Sequence, residues 1–90
     1  MNKFTTTIRS EVLDFANEME LKLQKNDHKE HWRKLQLQVL FGMLVEEAKE
    51  LENEIFACKY GGVLRRIKDK AVDVGNFAMM IWDVAGNTNK

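Results

Sequence analysis

The chain has 90 residues, and its 14 Lys and Arg residues balance 14 Asp and Glu residues, so its formal net charge is zero. This length allows one domain, and the balanced charge argues against the basic surface of a nucleic-acid-binding protein. Proline is absent and apolar residues make up 44 % of the chain, which favours a folded all-α protein. We therefore predict a single helical domain over residues 1–90, without a nucleic-acid partner.

The single cysteine, Cys58, excludes an intramolecular disulfide and a zinc site built on several thiolates of one chain. The first ten residues are polar and lack the apolar stretch of a signal peptide. No run approaches the roughly 18 apolar residues that a membrane span requires. We expect a cytoplasmic protein that has no membrane partner.

The first predicted helix covers residues 5–24. Its start is marked by three threonines, Thr5 to Thr7, which are suited to cap a helix N-terminus. Apolar residues then recur in steps of three and four, the period of one helix face. These residues are Ile8, Val12, Phe15, Ala16, Met19 and Leu23.

Residues 25–34 show no periodicity, so we predict a loop here that carries Trp32. Asn26 and Asp27 favour a turn, because their side chains bond the local backbone. His28 and His31 have the spacing of one helical turn, but two imidazoles without a nearby cysteine are weak evidence for a metal site.

The second and third helices are predicted over residues 35–58 and 63–85, and residues 86–90 form a polar tail. Gly61 and Gly62 mark the turn between the helices, and Gly86 is expected to close the third. The apolar stripe of the second helix comprises Leu37, Leu40, Phe41, Leu44, Ala48, Leu51 and Ile55. The stripe of the third comprises Ile67, Ala71, Val74, Ala78, Ile81 and Ala85.

The third helix has a second apolar side near its end. A helix that is apolar nearly all round is buried nearly all round, and one chain of this size cannot cover it. We therefore expect a homo-oligomer, a dimer or a dimer of dimers, that completes a four-helix-type core. The alternative is that these are scattered exposed apolar residues, which need no partner. They are Phe77, Met79, Met80, Trp82 and Val84.

An acidic pattern lies beside the apolar stripes of both later helices. Glu47 and Glu50 share one shoulder of the second helix, and Lys70 and Asp73 share the equivalent shoulder of the third. In an antiparallel hairpin these shoulders meet, and converging carboxylates require a cation. Oxygen ligands select Mg²⁺ or Mn²⁺. The alternative is an acidic face that is only solvated.

These residues resemble the MazG-like all-α nucleoside triphosphate pyrophosphohydrolases, especially the small single-domain forms of phages and bacteria. The likeness covers about residues 12–85. Its most specific part is the string DVGNFAMMI on the third helix. The matching pieces are Lys29 and Trp32, the run EEAKELE at 46–52, and the run at 73–81.

The resemblance implies Mg²⁺-dependent cleavage of a (deoxy)nucleoside triphosphate into a monophosphate and pyrophosphate, with Mn²⁺ as a substitute ion. It implies metal ligation by Glu47, Glu50 and Asp73. It also implies base or sugar recognition near Trp32 and Asn76. Basic residues before the second helix are candidates for contact with the outer phosphates, and the alternative is that they are solvated surface charge; they are Lys25, Lys29, Arg33 and Lys34. Trp32 either stacks on a base or packs in the hydrophobic core beside the first helix.

Lys70 departs from the family pattern, which has Glu at this place. An active enzyme, weakened by Lys70, is the first functional hypothesis. The alternatives are a catalytically degenerate MazG-like nucleotide-binding module and a plain helical dimerisation protein. An ammonium at position 70 is expected to pair with Glu47 or Glu50 and to compete with the metal for them.

Overall fold

The computed structural model describes residues 7–27, 31–57 and 64–87. The regular elements in these ranges are three α-helices and one short 3-10 turn, which confirms the all-α prediction for the described part of the chain. The elements in chain order are α1 (Ser10–Lys25), the 3-10 turn (Trp32–Lys34), α2 (Leu37–Ala57) and α3 (Leu64–Asn87).

Several sequence predictions fall outside the described residues. They concern Thr5, Thr6, His28, Lys29, Cys58, the glycines at 61 and 62, the helix boundaries at 58 and 63, and the tail residues 88–90.

The start of α1 differs from the prediction. α1 begins at Ser10, and the capping position is Arg9, whose side chain makes no capping hydrogen bond. The carbonyl of Arg9 accepts from the backbone N–H groups of Val12 and Leu13 at 3.1 and 3.2 Å. Thr7 therefore lies before the helix rather than at its cap.

α2 begins two residues later than predicted, because the residues before it form a 3-10 turn. The N–H of Arg33 donates to His31 Nδ1 at 3.1 Å, and the N–H of Leu35 donates to the Trp32 carbonyl at 2.9 Å. These bonds complete a separate turn and delay α2 until Leu37.

α3 continues past Gly86 to Asn87, so the predicted end at residue 85 is wrong by two residues. The side chain of Asn87 explains the extension. Its Nδ2 donates to the carbonyl of Asp83 at 2.8 Å and to Asp83 Oδ1 at 3.0 Å. Bonds to a carbonyl of the last turn satisfy one of the groups that a helix end leaves free.

α2 and α3 pack as an antiparallel hairpin. The ion pairs between them show this orientation, since residue numbers fall along α2 as they rise along α3. Arg66 pairs with Glu54 at 3.8 Å, and Lys70 pairs with Glu50 one turn further along. Leu40 of α2 is fully buried, with 0 % of its surface exposed. The hairpin therefore joins the two helix shoulders that carry charged residues.

α1 packs on another side of α3. The Nδ2 of Asn76 donates to the carbonyl of Met19 at 3.3 Å. The ring of Phe15 lies so close to Gly75 that a Cβ atom there would stand 2.7 Å from its Cε2 and Cζ atoms. The most buried residues of α3 are Val72 (6 % exposed) and Asn76 (5 %).

The predicted apolar stripe of α3 is therefore not its most buried face. Val72 and Asn76 lie off that stripe, whereas Ala78 and Ala85 on it are exposed. The reason is that α1 covers the Asn76 side of α3, while the stripe faces away from α1. A helix packed by two neighbours at different angles buries residues that its strongest apolar period does not identify.

The described chain leaves many large apolar side chains exposed. Of the predicted second apolar side of α3, Trp82 is 75 % exposed, while Phe77, Met79, Met80 and Val84 are half-buried. On α2, large apolar residues of the predicted stripe are also exposed. These are Leu37, Phe41 and Ile55. None of the described helices combines the length and the apolar character that crossing a membrane requires.

Candidate functional site

The carboxylates predicted to bind a metal converge on Lys70 between α2 and α3. The Nζ of Lys70 lies 2.5 Å from Glu50 Oε1, 3.7 Å from Glu47 Oε1 and 3.9 Å from Asp73 Oδ2. The antiparallel hairpin brings these three carboxylates within 4 Å of one ammonium group. The hydrogen bond to Glu50 raises the pKa of Lys70, so the ammonium stays charged.

Glu47 is the least satisfied member of this cluster. Its Oε1 is buried and accepts no hydrogen bond from the described residues. Burial raises the pKa of Glu47, and the charges of Asp73 and Glu50 raise it further, while Lys70 opposes them. The charged carboxylate therefore costs folding free energy in this position, because Lys70 compensates it only in part.

A second ammonium, that of Lys22 on α1, completes the cluster and was not foreseen from the sequence. Its Nζ lies 2.8 Å from Asp73 Oδ1 and 2.9 Å from Asp69 Oδ1. Burial lowers the pKa of Lys22, but the hydrogen bonds to Asp73 and Asp69 outweigh this, so its pKa is raised. One signal was present: Lys22 lies three residues after Met19 and seven after Phe15, at a helical spacing from the apolar stripe of α1.

The cluster carries more negative than positive charge. Its four carboxylates face two ammonium groups, which leaves two formal negative charges. The donors are oxygens, as Mg²⁺ requires, and one of them is the buried Glu47 Oε1 without a hydrogen bond. The set therefore fits Mg²⁺ in donor chemistry, and withdrawal of Lys70 would leave three formal negative charges to face the ion. The four carboxylates are those of Glu47, Glu50, Asp69 and Asp73.

The carboxylates are spaced around an ammonium and not around a bare ion. Within residues 7–27, 31–57 and 64–87, no three His, Cys, Asp or Glu side chains form a ready ligand set for a metal. Contacts of 3.7 and 3.9 Å to Lys70 must shorten to the distances of about 2.0–2.1 Å that Mg²⁺ demands.

Trp32 lies on the 3-10 turn and lines a pocket of about 240 Å³ between that turn, the end of α1, α2 and the later part of α3. Its indole N–H donates to Asp83 Oδ2 at 2.9 Å, and the ring of His31 stacks on it at 4.3 Å. Trp32 is thus held in place by neighbours on two sides. The other residues that line the pocket include Leu23, Asn26, Leu35, Met43, Phe77 and Met80.

Asp83 is a second residue that the sequence interpretation missed. It receives the indole N–H of Trp32 and also the guanidinium of Arg33, at 2.8 and 3.2 Å. The bond from Arg33, followed by that from Trp32, lowers the pKa of Asp83 to about 2. The only sequence signal was an acidic residue that interrupts the apolar run of 77–85.

Asn76 and the basic residues occupy different places. Asn76 is buried one turn beyond Asp73, where it bonds α1, and it is not among the residues that line the Trp32 pocket. Its Oδ1 is buried without a hydrogen bond from the described residues. Arg33 is engaged by Asp83, Lys34 is exposed, and Lys29 lies outside the described residues.

Comparison of the chain with protein-family models, with curated proteins and with solved structures finds no match in any of the three.

Proposed function

We propose that this chain is a MazG-like nucleoside triphosphate pyrophosphohydrolase that hydrolyses (deoxy)nucleoside triphosphates to monophosphate and pyrophosphate with Mg²⁺. The observation that supports the proposal is the convergence of Glu47, Glu50 and Asp73 on one point, the Nζ of Lys70. Carboxylates of two helices repel each other, so they converge only around a positive charge. The ammonium of Lys70 supplies that charge here, and a metal ion at the same position would meet the same three carboxylates.

In this proposal Glu47, Glu50 and Asp73 bind Mg²⁺, and Mn²⁺ can substitute for Mg²⁺ at the same ligands. When bound, the ion supplies positive charge that binds phosphate oxygens and polarises water. The ammonium of Lys70 leaves the carboxylates and remains attached through a flexible four-carbon chain. Since its side chain is 28 % exposed, it has a path towards solvent and towards the phosphates of a bound nucleotide.

In this proposal the substrate is held by Trp32 and Lys29. Trp32 offers an aromatic surface in the 240 Å³ pocket, and its neighbours Leu35 and Met43 provide the apolar lining that suits a flat base. Lys29 meets the outer phosphates in this proposal. Asn76 is buried against α1 and away from the Trp32 pocket, so we assign no direct substrate contact to it. The bonds to Asp83 keep the Trp32 ring in one orientation, which lowers the entropic cost of stacking.

A pyrophosphate-release assay over the eight common NTPs and dNTPs, with Mg²⁺ and with Mn²⁺, tests the proposal. We expect turnover that requires the metal and that Glu50→Gln abolishes. Glu52→Gln serves as the matched control, because Glu52 lies on the exposed side of the same helix. No turnover in any combination, or turnover that Glu50→Gln leaves intact, contradicts an enzymatic function for this site.

The second candidate is a catalytically degenerate MazG-like nucleotide-binding module, and Lys70 is the observation that favours it. Its ammonium already neutralises the carboxylates on which a metal would bind. This candidate predicts nucleotide binding without pyrophosphate release. Thermal shift with non-hydrolysable triphosphates separates it from the enzyme, and the absence of any nucleotide or metal effect leaves a helical dimerisation protein.

We also propose that a second copy of the chain covers the exposed apolar face of the α2–α3 hairpin. A helix turns about 100° per residue, so Leu37, Phe41 and Ile55 share one side of α2, and Ala78 and Ala85 share one side of α3. In an antiparallel hairpin these sides form a single face, opposite to α1. Burial of this face by a copy of itself produces a four-helix core.

The oligomer is tested by light scattering after gel filtration at micromolar concentration. We expect at least a dimer, and Phe41→Asp is expected to dissociate or unfold it, because an unpaired charge in an interface is costly. Leu21→Asp on α1 is the control, since Leu21 is also an exposed apolar residue but lies outside both the proposed face and the apolar stripe of α1. A stable monomer of the unmodified chain contradicts this part of the proposal.

A further inference from the structure

Two ammonium groups from different helices hold the two oxygens of Asp73, and they hold them unequally. Lys22 lies 2.8 Å from Oδ1 and 2.9 Å from Asp69 Oδ1. Lys70 lies 3.9 Å from Oδ2 and has a close contact only with Glu50. Asp73 thus bridges two cation positions, with a close contact to Lys22 and a longer one to Lys70.

Each cation position has its own set of oxygens. The first, held by Lys70, is bounded by Glu47, Glu50 and Asp73 Oδ2. The second, held by Lys22, is bounded by Asp69 and Asp73 Oδ1. Enzymes that act on phosphate esters often place two metal ions side by side to stabilise the attacking and leaving oxygens. Here an ammonium from α1 takes the second place.

The end of α1 that carries Lys22 is fixed to α3. The turn of α1 that carries it is fixed to α3 by the bond from Asn76 to the carbonyl of Met19. The backbone carbonyl of Lys22 accepts a hydrogen bond from Asn26 Nδ2 at 3.1 Å, which stabilises the end of α1. A divalent cation meets three carboxylates at the position of Lys70 but only two at the position of Lys22. A cation arriving at the cluster is therefore expected to displace Lys70, while Lys22 remains on Asp69 and Asp73.

We infer that Lys22 is the resident second cation of this site. It supplies a permanent positive charge beside the first cation position, and it holds Asp73 so that Oδ2 faces that position. Lys22 is a positioning residue and does not touch the reacting atoms. The inference rests on the proposed function for the identity of the first cation, a divalent metal, and for the class of ligand, a nucleotide phosphate.

The number of Mn²⁺ ions bound per chain, measured by electron paramagnetic resonance and calorimetry, tests this inference. Lys22→Met leaves Asp69 and Asp73 Oδ1 without a counter-ion, so we expect it to bind one more Mn²⁺ than the unmodified chain. Lys22→Arg keeps the charge and is expected to keep the original number. Lys25→Met, which removes an exposed lysine of the same helix turn, is the control and is expected to change nothing.

Equal Mn²⁺ numbers in folded Lys22→Met and in the unmodified chain overturn the inference. If Lys22→Met does not fold, Lys22→Gln replaces it, and we expect the same gain of one Mn²⁺. If neither variant folds in the presence of Mn²⁺, the inference is also overturned, because Lys22 is then only a determinant of the fold. A different result contradicts the proposed function. In that case neither the unmodified chain nor Lys70→Met binds Mn²⁺ at the first position, and this result does not depend on the number of ions that Lys22→Met binds.

Discussion

The indole N–H of Trp32 donates to Asp83 Oδ2 at 2.9 Å, although the two residues are 51 positions apart in the chain. Arg33 binds the same carboxylate through two nitrogens, at 2.8 and 3.2 Å. One carboxylate of α3 thereby fixes the whole 3-10 turn. The position of Trp32, and with it one wall of the 240 Å³ pocket, depends on the charge of Asp83.

This dependence predicts how acid affects the turn. Because Arg33 and then Trp32 lower the pKa of Asp83 from 3.8 to about 2, the carboxylate contributes stability above pH 3.8 that is lost as the pH falls towards 2. Asp83→Asn is expected to remove this part of the acid dependence and to shift Trp32 emission to the red. Fluorescence in a Trp82→Phe background, where Trp32 is the only tryptophan, measures it.

Asp14→Asn on the exposed side of α1 is the control for this experiment. A Trp32 emission that is the same in Asp83→Asn and in the parent at pH 7 contradicts the assigned role of Asp83.

A second prediction concerns the cost of the charge on Glu47. The pKa of Glu47 is raised, first by burial and then by Asp73 and Glu50, so folding favours its protonated form. The free energy of unfolding that this preference contributes is complete below pH 4.5 and is lost as the pH rises through the raised pKa. Glu47→Gln should therefore raise the melting temperature of the metal-free protein at pH 7. Glu46→Gln, on the exposed side of α2, should leave it unchanged. Thermal unfolding with a chelator present is the measurement, and a lower melting temperature for Glu47→Gln counts against it.

The third prediction addresses competition between Lys70 and the metal. Unit charges about 4 Å apart interact by about 4 kcal/mol at an effective dielectric constant near 20, and solvent screening reduces the penalty on metal binding to about 1–3 kcal/mol. Lys70→Glu removes this competitor and adds a ligand. We expect Mg²⁺ affinity to rise by one or two decades.

Calorimetric titration with Mg²⁺ measures this change, and Lys68→Glu on the exposed side of α3 is the control. The metal-free Lys70→Glu protein should melt at a lower temperature, because its carboxylates have lost their shared counter-ion. If both Mg²⁺ affinity and metal-free stability remain as in the unmodified chain, Glu47, Glu50 and Asp73 do not form a common site.

The fourth prediction compares two helical glycines. Nothing lies within 4 Å of a Cβ atom placed at Gly42, so Gly42→Ala should stabilise the protein by about 0.5–1 kcal/mol through helix propensity. At Gly75 the added methyl group meets Phe15 at 2.7 Å, and we expect a net loss of about 1–2 kcal/mol. Denaturant unfolding measures both.

A double-mutant cycle identifies the cause at Gly75. In a Phe15→Ala background the clash is absent, so Gly75→Ala should become neutral or stabilising. If Gly75→Ala lowers the free energy of unfolding equally in that background, contact with Phe15 is not the cause of the destabilisation.

The sequence by itself determined the helices and the acidic shoulder. The helical period places Glu47 and Glu50 on one side of α2, and places position 70 and Asp73 on one side of α3, because residues three apart are neighbours on any α-helix. Their equal offsets from the apolar stripes then predicted that they meet. The structure brings these residues together as that geometry required.

The tertiary structure alone decided which neighbours complete the cluster. Lys22 meets Asp73, and Trp32 meets Asp83, each across 51 residues, and no local period encodes such a separation. The same holds for α3, whose buried residues Val72 and Asn76 face α1 and lie off its apolar stripe. Periodicity specifies which residues share a face of one helix, whereas the angle at which another helix crosses that face follows from side-chain packing over the whole chain.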